Sequence, residues 1–100
     1  MKSFEPTQGI KFDTDKLQYS LIEPAFLTGI ARVLTHGAEK YAPENWKYVT
    51  PFKRRYTDAL MRHFEAWRSG ECVDTDSRCL HLSHLACNAM FLQWGDANEK

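Results

Sequence analysis

From Cys79 to Trp94 the chain is apolar almost all the way round. Leu80, Leu82, Leu85, Ala86, Ala89, Met90, Phe91 and Leu92 leave no wholly polar face at helical spacing. A helix of this kind must be covered on several sides, so it organises whatever folds around it. Its polar interruption is narrow. At 100° per residue, His81, His84 and Asn88 fall within roughly 60° of one another. A buried polar group left unpaired costs about 1–3 kcal/mol. The stripe therefore calls for a partner, and three kinds are open: a metal, a substrate, or a polar side chain on a facing helix.

Two further helices are legible upstream. Phe26, Leu27, Ile30, Val33, Leu34, Ala38 and Tyr41 recur at helical spacing, with Glu23 and Pro24 at a favourable start and Pro43 as a stop. The spacing predicts a helix from about Pro24 to Tyr41, weakened at Gly37 by about 1 kcal/mol relative to alanine. A loop from Pro43 to Val49 holds Asn45 and Trp46. Thr50 and Pro51 then read as an N-cap followed by proline at the first helical position. The second helix is expected from about Pro51 to Ser69, ending at Gly70. Its apolar stripe is Phe52, Tyr56, Ala59, Leu60, Phe64 and Trp67, and His63 shares it. Glu71 to Ser77 is a polar turn in which Asp76 or Ser77 can cap the third helix, which should end near Gly95. No strand pattern appears. The expected fold is all-α: one domain with an extended N-terminal arm over residues 1–22 and a three-helix unit over 23–95. Three helices of this length cover the apolar third one poorly, so a homodimer or homotetramer is expected to complete a bundle.

Composition excludes several classes. In a chain of 100 residues the formal net charge is zero, so no general basic field draws it to nucleic acid. No apolar run approaches the roughly 18 residues of a membrane span. The stretch from Met1 to Pro6 lacks a signal-peptide core. The three cysteines, Cys72, Cys79 and Cys87, form no disulfide framework, which points to a reducing cytoplasm. Glycine-rich phosphate loops, dinucleotide fingerprints, the Gly-x-Ser-x-Gly elbow and the adjacent His-Asp pair of one phosphohydrolase class are all missing.

Three constellations could carry chemistry. Carboxylates and imidazoles facing inward from different helices are how bundles build metal sites. Glu39 beside His36, Asp58 and Glu65, and the His81/His84 stripe offer such groups. Asp58 and Arg62 equally suit an ordinary surface pair four residues apart. A zinc set of Cys72, Cys79, His81 and His84 lacks the compact spacing of structural zinc sites. Finally, Lys11, Lys16, Lys40, Lys53, Arg54, Arg55, Arg62 and Arg68 form a cationic set. Lys53 to Arg55 lie in a first helical turn, where cations oppose the helix dipole unless an anion sits nearby. A solubilising patch is the plainer alternative.

Taken in order, Gly37-Ala38-Glu39-Lys40-Tyr41, Asn45-Trp46, Arg62-His63 with Ala66-Trp67 and Gly70-Glu71, and His81-Leu82-x-His84 with Asn88 resemble a phage-borne family of dATP/dGTP diphosphohydrolases of the MazZ type. That family is related to the all-α MazG-like nucleotide pyrophosphohydrolases. Lys11-x-Asp13-x-x-Lys16 and Leu21-Ile22-x-Pro24 are similar to its opening. The resemblance covers roughly Gly9 to Leu92. It implies a MazG-like helical fold, Mg²⁺ or Mn²⁺, and cleavage of a purine dNTP to dNMP and pyrophosphate. It also implies metal ligands at Glu39, His81 and His84, with Glu39 catalytic. The second-helix carboxylates Asp58 and Glu65 are candidates to compensate for the missing acids, and Glu65 is the expected second catalytic carboxylate. Lys11, Lys16, Lys40, Asn45, Trp46, Arg62, His63, Trp67 and Asn88 would bind the nucleotide. MazG-like enzymes hold their metals with Glu-x-x-Glu and Glu-x-x-Asp. Here the pairs read His36-x-x-Glu39 and His81-x-x-His84. Imidazoles in place of carboxylates leave a second expectation on the same fold: a protein that sequesters a nucleotide without turnover.

Overall fold

A computed structural model describes residues 9–100, and the expectations made for residues 1–8 fall outside it. Three helices carry the fold: α1 (Pro24–Lys40), α2 (Phe52–Arg68) and α3 (His81–Ala97). Short 3₁₀ turns precede the first two, at Tyr19–Leu21 and Asn45–Tyr48. Residues 9–22 are exposed throughout and hold no α-helix. There is no strand among the described residues, only an isolated antiparallel bridge between Val73 and Leu80. The protein is all-α.

Local chemistry sets the helix ends. Glu23 caps α1 by accepting from the Ala25 amide at 3.1 Å, and Pro24 fills the first helical position. The C-terminus of α2 is a Schellman turn. Gly70 sits at φ 110°, its amide donates to the Trp67 carbonyl, and the Glu71 amide donates to Ala66. Two expected caps are corrected. Thr50 does not cap α2, because the first helical bond runs from Arg55 N to Pro51 O, which makes Pro51 the cap. Neither Asp76 nor Ser77 caps α3. That helix starts at His81 with Leu80 before it, and Ser77 is turned inward onto Asp74 instead.

The third helix lies at the centre, as its composition demands. Its Cys87 and Phe91 join Val33 of α1, Phe52 of α2 and Cys79 in the buried core. An aromatic cluster extends that core. Trp46 stacks on Phe91 at 4.4 Å between centroids and meets Trp94 edge-on at 5.0 Å. Phe52 meets Tyr56 edge-on at 4.9 Å, and the Tyr56 hydroxyl donates to the Trp46 carbonyl at 3.0 Å. That hydrogen bond fastens the 45–48 turn to α2.

Gly95 does not end α3, which continues to Ala97. Gly95 is buried under the Phe52 ring, and a β-carbon there would collide with it. Gly29 stands in the same relation to Ser83 where α1 crosses α3. The apolar stripe of α2 is also displaced from the expected one. Phe52, Tyr56, Ala59, Leu60, His63 and Ala66 turn inward. Phe64 and Trp67 remain 39% and 41% exposed.

Candidate functional site

A cleft of about 1010 Å³ opens between α1 and α2 over one side of α3. Lys40, Arg55 and Arg62 reach it from three places in the sequence, and Tyr41, Trp46 and Tyr56 supply aromatic surface. At its floor lie His63, His84 and Asn88, with Asp74, Asp76 and Ser77 from the loop between α2 and α3.

That loop is built by its own hydrogen bonds. Asp74 N donates to Cys79 O and Arg78 N to Asp74 O, both at 2.8 Å. The Ser77 amide and hydroxyl both donate to Asp74 Oδ2, at 2.9 and 2.8 Å. Arg78 takes a left-handed φ of 64° to close the turn. His81 N then donates to Cys72 O at 2.9 Å, which delivers the chain into α3.

The polar stripe of α3 meets its partners here. His81 Nδ1 lies 2.8 Å from His63 Nδ1 of α2. The His63 and His84 rings stack face to face, with centroids 4.2 Å apart and planes within 2°. His84 Nε2 pairs with Ser77 Oγ at 2.6 Å, so imidazole, hydroxyl and Asp74 form one chain. Asn88 donates to the His84 carbonyl at 2.9 Å. One atom is left over. The buried His81 Nε2 has no hydrogen-bond partner, although Glu71 Oε2 stands 3.4 Å from it.

Electrostatics favours the neutral imidazole at His63 and His84. Burial above all, and then the nearby His63, push the His84 imidazole down to about 4. Burial and then His81 lower His63 as well. For Asp74 the strongest single influence is burial, which works upward. The two Ser77 hydrogen bonds and the imidazoles outweigh it, and the carboxyl ends below its ordinary value.

The structure gathers Lys40, Asn45, Trp46, Arg62, His63, His84 and Asn88 at the cleft. Other expected site residues lie elsewhere. Glu39 is exposed and absent from the cleft wall. It lies six residues beyond buried Val33, which puts it about 120° round the helix from the inward direction. Glu65 is exposed and paired with Arg68 at 2.7 Å, because two residues beyond His63 is nearly the opposite face of α2. Trp67 meets Phe64 at a tilt, with ring centroids 6.0 Å apart, one turn past the cleft. Lys11 and Lys16 sit on the exposed segment before α1. Asp58 is exposed and makes no ion pair with Arg62 among the described residues, and Arg62 lines the cleft instead. Cys72, Cys79 and Cys87 are free thiols.

Sequence reasoning left out Asp74, which the structure makes central. Its one sequence signal is the Asp74-x-x-Ser77 spacing of a self-bonded turn. The atoms that could bind a cation are likewise redistributed. His63, Asp74 and His81 each present one ligand atom within 4.8 Å of the others, whereas Glu39 is not part of that group.

Fold and site together define a small all-α protein with a cation-edged cleft over a histidine–aspartate floor. A family profile described as dATP/dGTP diphosphohydrolase, N-terminal, matches residues 6–100, and the chain belongs to that family. It is 37% identical over 86 residues to a dATP/dGTP diphosphohydrolase of Salmonella phage PMBT28. That match covers 86% of this chain and 29% of the relative, so the chain spans under a third of the relative's length. No solved structure matches it. No helix among the described residues is long and apolar enough to cross a membrane.

Proposed function

We propose that the cleft binds a purine deoxynucleoside triphosphate, dGTP or dATP, and that the protein takes part in its cleavage to dNMP and pyrophosphate with a divalent ion. The observation that carries this reading is the meeting of Lys40, Arg55 and Arg62 with Tyr41, Trp46 and Tyr56 in one cleft. Cations suit a polyphosphate, and aromatic faces suit a base. The name of the phage relative agrees with it. Arg62 offers a planar fork to the phosphates, and Lys40 a point charge. His63 and Asp74, at the floor, offer nitrogen and oxygen ligands, so the donor set fits Mn²⁺ or a similar borderline ion better than Mg²⁺. When bound, such an ion neutralises phosphate charge and activates water. The expected setting is the cytoplasm, in keeping with free thiols.

A second reading stays open because Glu39 and Glu65, the expected catalytic carboxylates, both face away from the cleft. On that reading the protein holds the nucleotide without turnover. Incubation with dGTP or dATP and Mn²⁺, followed by product separation, decides between them. Equal amounts of dNMP and pyrophosphate are expected. Nucleotide that binds and is recovered unchanged favours the second reading. No binding of either nucleotide in calorimetry overturns both. Arg62→Ala should weaken binding about tenfold or more, the loss of one charge-assisted contact.

A further inference from the structure

We propose that His63, Asp74 and His81 hold one divalent transition-metal ion, of the zinc or manganese class, with Glu71 as the carboxylate that orients His81. The inference rests on the nucleotide reading only for the purpose of the ion; it keeps the expected His81 and puts His63 and Asp74 in place of Glu39 and His84.

The argument begins with protons. Two imidazole Nδ1 atoms 2.8 Å apart form a hydrogen bond only when one carries a proton and the other a lone pair. His81 is 4% exposed, and its Nε2 has no hydrogen-bond partner. The nearest ionisable oxygen is Glu71 Oε2 at 3.4 Å. A carboxylate there favours the tautomer with the proton on Nε2, so His81 Nδ1 presents its lone pair to His63. The ion takes the place of the His63 Nδ1 proton, which His63 then carries on Nε2. A histidine that offers one nitrogen to a site and turns the other toward a carboxylate is the arrangement metal-binding histidines adopt. Glu71 reaches this place because the Schellman turn ends α2 immediately before it.

The third donor is already held. Both Ser77 hydrogen bonds fall on Asp74 Oδ2, so Oδ1 is not used by them. Asp74 contributes its ligand atom within 4.8 Å of those of His63 and His81. Tetrahedral ligands about 2.1 Å from a common ion lie about 3.4 Å apart. The two Nδ1 atoms, now 2.8 Å apart, would therefore move apart, and donors at the 4.8 Å limit would draw in by about an ångström as the ion enters. His84 stacks on the His63 ring and is tied through Ser77 to Asp74, so it braces two of the three donors without being one. Three protein ligands leave a coordination position open, and His63 and Asp74 line the cleft, so that position faces the cleft. Two imidazoles and one carboxylate favour Zn²⁺, Co²⁺ or Mn²⁺ over Mg²⁺.

The test needs no nucleotide. The EDTA-treated full chain is titrated with Co²⁺ while visible absorption is read, and with Zn²⁺, Mn²⁺ and Mg²⁺ in a calorimeter. The expected result is one Co²⁺ per chain with ligand-field bands, and Zn²⁺ at least a hundredfold tighter than Mg²⁺. Glu71→Gln, at an exposed position, should keep the helical circular dichroism and lose about 10–100-fold in Zn²⁺ affinity. Asp74→Asn should lose more. Wild-type protein that is folded and shows neither bands nor heat overturns the proposal, and this result does not depend on any variant folding. Unchanged Zn²⁺ affinity in a folded His63→Ala/His81→Ala variant overturns it too, by placing the ion elsewhere. Ion binding without nucleotide binding sinks only the nucleotide reading; nucleotide binding by a protein that takes no ion sinks only this one.

Discussion

His84 shows what burial does to an imidazole. Its imidazole is pinned between the His63 ring and Ser77, and it titrates near 4 when folded against 6.5 for the free side chain. The sign follows from which state takes up the proton. Between those values the unfolded chain binds a proton that the folded protein refuses, so acid favours unfolding. In EDTA-treated protein, stability should be fully present above about pH 6.5 and fall as the pH drops toward 4. The shift sets an upper bound of about 3 kcal/mol, which partial solvent access reduces to about 1–2 kcal/mol. Urea midpoints across this range, compared with those of His84→Asn, check it. An identical pH slope in the two proteins would show that His84 is not responsible. The existence of the polar stripe was legible from helical spacing, but its partners were not. The sequence offers His63 as a member of the α2 stripe and, by resemblance, as a nucleotide-binding residue, and it gives Asp74 only a place in a polar turn. Which side chains satisfy a buried imidazole depends on how two helices cross, and no local pattern encodes that.

Glycine placement governs how the elements fit. Gly95 reads as a helix stop in sequence, since glycine is favoured just beyond helix ends. In the structure it sits inside α3 and lets the Phe52 ring approach where a β-carbon would stand. Alanine has the better helix propensity by about 1 kcal/mol, so propensity alone predicts that Gly95→Ala stabilises. Packing predicts the reverse. Phe52 is 6% exposed and locked against Tyr56 and Trp94, so its ring cannot swing aside. Overpacking of this kind costs about 1–3 kcal/mol, and packing should win. Gly95→Ala is therefore expected to lower the thermal midpoint by several degrees, while Gly95→Ala with Phe52→Leu recovers part of the loss. Additive losses in the double variant would show that the two residues do not press on each other. The same logic explains the corrected stripe of α2. Period alone allowed Phe64 and Trp67 to point inward, but the approach of α3 set the stripe one position round.

On the scale of the molecule, three helices leave much apolar surface uncovered. Phe26 and Leu27 on α1, Met61, Phe64 and Trp67 on α2, and Leu82 and Met90 on α3 are each between 38% and 58% exposed. Contiguous apolar surface on a small domain marks a place where something else packs. Self-association of the chain is expected, with the outer side of α2 as its strongest candidate. Sedimentation or light scattering at tens of micromolar should give a dimer or tetramer. Met61→Glu with Trp67→Glu should give a monomer, since two charges in an apolar contact leave it unpaired and desolvated. A wild-type monomer at that concentration counts against the idea. What the amino-acid order determined by itself was the set of elements. Three helices, five of their six ends within about two residues, and the central place of the third follow from period, caps and breakers. These are properties of neighbours in the chain, and the backbone bonds that realise them are local. Only the tertiary structure decided which groups form the site. It turned Glu39 and Glu65 outward, brought Asp74 in through a self-bonded loop, and set His63 against His81 and His84. Those outcomes depend on the rotation and crossing of helices about their axes. Aromatic packing around Trp46, Phe52 and Phe91 fixes that geometry, across separations that no sequence period spans.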